Sequence, residues 1–328
     1  MRPFTFAAGI FALAFAQAGH ADTPVLTIYT YESFVPDWGP GPVIEANFED
    51  NCDCDLQWVA AGDGAALLAR LRLEGNSTEA DIVLGLDTNL TAAALETGLF
   101  APHGISPDGL TLPLAWDDAT FLPYDWGYFA FVHRADLPFV PGSFTELAAS
   151  DLSIVIQDPR SSTPGLGLLM WVEAAYGDAA AGIWDGLSDN IATVTPGWSE
   201  AYGLFLEGEA DMVLSYTTSP AYHLIAEDDP GFDSATFAEG HYLQVEVAGI
   251  VASTDVPDLA QDFMAFMLTS GFQDVIPTTN WMYPAASDNL PEGFETLAAP
   301  PSALLLPADD AAARRDAAID TWATSLSR

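Results

Sequence analysis

The stretch "ADIVLGL", residues 80–86, constrains this chain more than any other. After its single acid it is unbroken apolar sequence, which suits a strand covered on both faces, as in a parallel sheet. Parallel strands need crossover helices, and the flanking sequence supplies them. "VLTIYT" (25–30) and "DLQWVAA" (55–61) read as strands. "GPVIEANFED" (41–50) reads as a helix with Pro42 in its first turn, and "GAALLARLRLEG" (64–75) as one that stops on Gly75. "NLTAAALETG" (89–98) is the next helix. This βαβαβ rhythm predicts an α/β lobe with a mainly parallel sheet flanked by helices.

The pattern changes at "FLPYDWGYFAFVHR" (121–134), a long aromatic strand. A second series follows, with strands "SIVIQD" (153–158), "NIATVT" (190–195) and "DMVLSY" (211–216). Between and after them come helices "STPGLGLLMWVEAAYG" (162–177), "GWSEAYGLFLEGE" (197–209) and "SPAYHLIAED" (219–228). Another long strand, "YLQVEVAGIVAS" (242–253), precedes the helices "PDLAQDFMAFMLTS" (257–270) and "ADDAAARRDAAIDTWATSLS" (308–327). Two long strands bracketing one α/β block predict a chain that crosses to a second lobe and returns. The expected division is 22–122 plus 246–328 for the first lobe, with the C-terminal helices, and 123–245 for the second. Hinges are expected near Phe121–Asp125 and Tyr242–Ala248.

The first 21 residues stand apart from this pattern. Arg2, the apolar core "FAAGIFALAFA" and the small-residue end "AGHA" form a secretory signal peptide, with cleavage expected after Ala21 and Ala18 as the alternative. The exported chain would be strongly acidic. The formal charge is −39, and loss of Arg2 makes it −40. All eight basic residues are Arg, so lysine chemistry such as a P-loop or Schiff base is excluded. An acidic surface of this size repels nucleic acid and anionic lipid. With 50% hydrophobic residues the chain is nonetheless an ordered globular one. Its two cysteines, Cys52 and Cys54, sit two apart, open to either a tight local disulfide or a pair of free thiols, and too few for a zinc site.

In α/β sheets, ligands bind beyond the carboxyl ends of the strands. Five turns at such positions are chemically rich: "YESFVPDWGPGP" (31–42), "AAGDG" (60–64), "QDPRSSTPGLG" (157–167), "TPGWSEAYG" (195–203) and "SYTTSPAYH" (215–223). Each places Tyr, Trp, Ser or Asp near a helix start. Catalytic motifs do not match. "GWSEA" approaches a nucleophile elbow but ends in Ala201 rather than Gly, and the five His follow no catalytic pattern. "GLGLLM" lacks the third Gly of a dinucleotide fingerprint, although "RSST" before it offers hydroxyls and N–H groups to an anion. Paired tyrosines keep a ferric-ion reading open.

Several segments together carry a resemblance. "YTYESFVPDWGPGP", "DPRSSTPGLGLL", "TPGWSEAYGLFLEGEADMVLSYTTSPAYH", "EGHYLQVEV" and "IPTTNWMYP" closely resemble the periplasmic thiamine-binding proteins of bacterial ABC importers, across nearly the whole mature chain. The resemblance implies a two-lobed type II periplasmic binding fold, related to the ferric-ion binders, with ligand closed between lobes. It implies capture of thiamine and its mono- and diphosphate, no reaction and no cofactor, and delivery to a membrane permease with its ATPase by a monomer. Matched motif by motif, the ligand contacts would be Tyr31 and Trp38 in the first turn, Asp63 with Gly64, Ser161 with Ser162, Trp198, Tyr216, Tyr222 and Trp281. Gly62 and Ser161 depart from the usual family residues, neither removing a contact. Alternatives are a binder of ferric ion or a polyamine, and a secreted hydrolase working through Ser199 or Asp63.

Overall fold

The structure is a computed structural model in which residues 23–327 are described, so the expected signal peptide lies outside the described residues. The first block folds as β1 (Val25–Thr30), α1 (Gly41–Glu49), β2 (Asp55–Ala60), α2 (Gly64–Glu74), β3 (Ile82–Asp87) and α3 (Thr91–Leu95). The long strand β4 (Phe121–Arg134) leads to β5 (Ile154–Gln157), α4 (Thr163–Tyr176), α5 (Ala180–Leu187), β6 (Ile191–Thr195), α6 (Trp198–Leu206), β7 (Met212–Tyr216) and α7 (Pro220–Ala226). Then come β8 (His241–Val251), α8 (Pro257–Phe266) and the terminal helix α9 (Ala308–Leu326). Helix α5 has no counterpart in the sequence reading. Its two glycines, Gly182 and Gly186, weaken the helical signal, and burial of Trp184 and Leu187 stabilises it instead.

The strands lie in the order β2-β1-β3-β8-β4-β7-β5-β6. β1 pairs in parallel with β2 and β3, and β5 in parallel with β6 and β7. β4 and β8 run antiparallel to each other between these two parallel triplets, β8 pairing with β3 and β4 with β7. The same strand β4 pairs with β8 over Phe121–Tyr128 and with β7 from Phe129 onward, so it belongs to both halves.

Side chains alternate across the first triplet as the pleat requires. Leu26, Ile28, Ile82 and Leu84 face a core with α1 and α8, while Tyr29 and Val83 face one with α2. On β3 the alternation breaks once: Leu84 faces one side and Leu86 the other. Gly85 lies between them at φ 108°, opposite a register shift on β8, and this bulge re-aims the end of the strand.

The sequence reading placed the C-terminal helices with the first lobe. Helix α9 instead packs on α5 and α4 of the second block, touching α3 as well. Its buried Trp322, Ala318 and Ala311 belong to the same core cluster as Trp171 of α4 and Trp184 of α5. Cys52 and Cys54 are joined in a disulfide between α1 and β2, with Cα atoms 5.3 Å apart. Among the described residues, no helix is long and apolar enough to cross a membrane.

Candidate ligand-binding site

All five rich turns meet at one cavity of about 550 Å³. The first turn contributes Tyr31, Ser33 and Trp38. Tyr31 is 7% exposed, while Trp38 is 57% exposed and therefore a rim residue. The Tyr31 ring turns its Cδ1–Cε1 edge to the backbone of β3, where a Cβ on Gly85 would fall 2.3 Å from Cδ1. The Gly85 bulge thus gives the ring its place.

The second turn contributes Asp63, the N-cap residue of α2. Its side chain makes no capping bond. Instead Oδ2 accepts from Ser162 Oγ at 2.6 Å and from the Trp198 backbone N–H at 3.1 Å, at the starts of α4 and α6. Two more bonds cross the same gap: Gly64 N–H donates to Thr163 Oγ1 at 3.0 Å and Ala66 N–H to the Ser161 carbonyl at 3.0 Å. A Cβ on Gly64 would meet Thr163 Oγ1 at 2.5 Å, so glycine permits this approach. The Asp63 carboxyl is pushed up to about 6 by burial, against the lowering effect of its two donors.

The third and fourth turns add Thr163, Pro164, Trp198 and Ser199, and α6 adds Tyr202. The Trp198 indole stacks on Tyr202 with centroids 5.0 Å apart. Its Nε1 donates to Ser215 Oγ at 2.8 Å, which shares a hydrogen bond with Ser219 Oγ, so the ring is fixed at both ends. The fifth turn adds Tyr216 and Tyr222. Tyr216 stacks on Phe129 and donates to Gln244 Oε1 at 3.0 Å. Tyr222 donates to Glu227 Oε1 and meets Trp281 edge-on, with centroids 5.5 Å apart.

Trp281 sits at φ 56°, a left-handed backbone that costs a bulky residue about 1–3 kcal/mol. Such strain persists only where the surroundings impose it, and here it holds an indole in the cavity wall.

Of the ten residues expected at the site, seven line this cavity: Tyr31, Trp38, Asp63, Trp198, Tyr216, Tyr222 and Trp281. Gly64, Ser161 and Ser162 are not among the residues lining it. Ser162 is fully buried, its hydroxyl taken up by Asp63, and the Ser161 hydroxyl is spent on the Pro196 carbonyl. The sequence reading missed Glu246 on β8, together with Asn280 and Met282, which follow a short helix at Ile276–Thr279. Glu246 had a visible signal, an acid inside an apolar strand. Its Oε2 accepts from the hydroxyls of Tyr31 and Tyr124, each at 3.1 Å.

No basic side chain lines the cavity among the described residues, and two carboxylates do. Rings and acids together suit a flat solute with positive charge. Ser199 lines the wall, but His223 is turned to Tyr202 and Glu227. Among the described residues, no group of three or more His, Cys, Asp or Glu side chains is placed to hold a metal ion.

Comparison with known proteins agrees with this geometry. Residues 37–274 match the family described as bacterial extracellular solute-binding protein. The thiamine-binding periplasmic protein of Escherichia coli K12 is 53% identical over 308 residues, covering 93% of this chain and 94% of the relative. A solved periplasmic thiamin binding protein superposes with a TM-score of 0.92 at 52% identity, covering 93% of this chain and 97% of that one. The ferric binding protein from Campylobacter jejuni shares the fold at a TM-score of 0.74 and 19% identity, over 92% of this chain and 99% of that one. The chain therefore belongs to the bacterial extracellular solute-binding proteins, with the two-lobed type II periplasmic binding fold, alongside the thiamine-binding periplasmic proteins.

Proposed function

We propose that this chain is the periplasmic solute-binding component of an ABC importer and captures thiamine between its lobes. The observation that carries the reading is the cavity wall, with tryptophans and tyrosines on several sides, carboxylates at Asp63 and Glu246 and, among the described residues, no basic side chain. Thiamine joins a permanently cationic thiazolium to a flat aminopyrimidine. Aromatic faces attract a desolvated cation by about 0.5–2 kcal/mol per good contact, and they stack on the flat ring. The relatives named as thiamine-binding periplasmic proteins support the choice of cation.

The thiamine mono- and diphosphates fit the same reading. Thr163 and Ser199 stand in the first turns of α4 and α6, where free N–H groups and hydroxyls receive an anionic tail. Closure takes place about β4 and β8, and the bonds from Asp63, Gly64 and Ala66 to α4 and α6 hold the closed form. A monomer then presents the closed lobes to a membrane permease with its ATPase, and no chemistry occurs on the ligand.

Calorimetric titration tests the reading, with thiamine, its two phosphates, ferric ion and a polyamine compared side by side. Thiamine is expected to bind one to one near nanomolar affinity, about −12 kcal/mol, and to be recovered unchanged. Affinity only in the millimolar range, or tighter binding of ferric ion or the polyamine, refutes it.

A further inference from the structure

Two acids face each other where the chain passes between its two halves. Glu246 on β8 and Asp125 on β4 are register partners, and Asp87 on β3 is the partner of Glu246 on its other side. Asp125 and Asp87 are fully buried and Glu246 is 6% exposed, opening only onto the cavity. A like-charged pair in direct register is destabilising unless something compensates it.

Asp87 has its own compensation, accepting from the backbone and side-chain N–H groups of Asn89 at 3.1 and 2.8 Å. Asp125 and Glu246 have less. Asp125 Oδ2 accepts from Asn280 Nδ2 at 2.6 Å, and Asp125 Oδ1 is buried with no donor among the described residues. Glu246 Oε2 has the Tyr31 and Tyr124 hydroxyls. The groups facing Glu246 from every side are thus Asp125 and Tyr124 on β4, Asp87 on β3, Tyr31 after β1, Asp63 across the cavity and Tyr216 on β7. Each of these is an acid or a phenol. A proton lying between Asp125 and Glu246 removes the repulsion and satisfies Oδ1. Burial and the mutual charge act in this direction, holding the Asp125 carboxyl well above the usual carboxylate range.

We propose that Glu246, backed by Asp125, is the counter-ion of the cavity for a positively charged ring, and that arrival of the ring expels a proton from the pair to the solvent. This inference rests on the thiamine reading. Without ligand the pair keeps its shared proton, since among the described residues no basic side chain lines the cavity; the bound cation replaces that proton. The pair is therefore a specificity device that favours a permanent cation over a neutral molecule of the same shape.

The test is titration calorimetry at about pH 8 in buffers of different ionisation enthalpy, with Asp63 already ionised there. The probes are thiamine and its neutral isostere with thiophene in place of thiazolium. The parent protein should release a measurable fraction of a proton per thiamine and none with the isostere. Glu246→Gln should lose the release and bind thiamine roughly ten- to a hundredfold more weakly, erasing the preference over the isostere. Asp125→Asn, which removes the group that shares the proton, should change the amount released. Thermal unfolding of each variant separates a lost counter-ion from a lost fold. Thiamine binding without proton release, or a folded Glu246→Gln that keeps the parent's preference for thiamine, overturns the inference and leaves the thiamine reading standing. A parent that ignores thiamine overturns both.

Discussion

Replacing Asp63 by Asn tests the central contact of the closed form. The carboxylate accepts two hydrogen bonds from the opposite half, from Ser162 Oγ and the Trp198 N–H. A bond to a charged group contributes about 1.5–3 kcal/mol and a neutral one about 0.5–1.5, so Asn loses roughly 1–1.5 kcal/mol at each. The sum, about 2–3 kcal/mol, is closure energy. Because ligand binds between closed lobes, it appears as a roughly 30- to 150-fold loss of affinity for thiamine. Loss of the negative charge at the cavity wall acts in the same direction. Calorimetry measures the affinity, and small-angle scattering measures the radius of gyration without ligand, which should increase in Asp63→Asn as the lobes part. Asp50→Asn, at the exposed end of α1, is the control and should leave both unchanged. A folded Asp63→Asn that binds like the parent at neutral pH refutes the closure argument, because these bonds would then contribute nothing to holding the lobes together.

Three further outcomes are expected. Tyr222→Phe should cost less than about 1 kcal/mol of binding, because the hydroxyl is spent on Glu227, while Tyr222→Ala removes the ring and should cost about 2; equal losses in the two titrations would assign the energy to the hydroxyl. Gly85→Ala combines a left-handed backbone with a Cβ that collides with Tyr31, so denaturant unfolding should show roughly 2–5 kcal/mol of lost stability, and an unchanged midpoint would mean that Tyr31 has another seat. Stability without ligand should rise as pH falls from about 8 to 5. Asp63 and Asp87, pushed up to about 6 and 7 by burial, bind protons more tightly folded than unfolded, so their contribution is complete below about pH 4 and is lost as pH rises through 6–7. A thermal midpoint that is flat or lower at pH 5 contradicts those environments.

The parts of this molecule legible in its sequence are those set by near neighbours. "ADIVLGL" reads as a buried strand because its covering is written into each residue, and the helix starts at Gly64, Thr163 and Trp198 follow from local periodicity and turn chemistry. The five turns also converge as the general rule for α/β sheets requires, which is why Tyr31, Trp38, Trp198, Tyr216 and Tyr222 share one cavity. What stayed hidden depends on partners far along the chain. "RSST" before a helix looks like an open anion seat, yet Ser162 donates to a carboxylate 99 positions away and has no hydroxyl to offer a ligand. Asp63 reads from the sequence as a ligand contact, and its bonds to Ser162 and Trp198 make it a bridge between halves as well. Asp125 and Glu246 were visible as acids inside apolar strands, but a strand reading counts the apolar residues around them and passes over the exceptions. An isolated acid in a buried strand is expensive to retain, and the register shows these two paired beside the cavity. The residues least favourable to folding therefore lie beside the cavity, and their position in the strands could have marked the site before any contact was known.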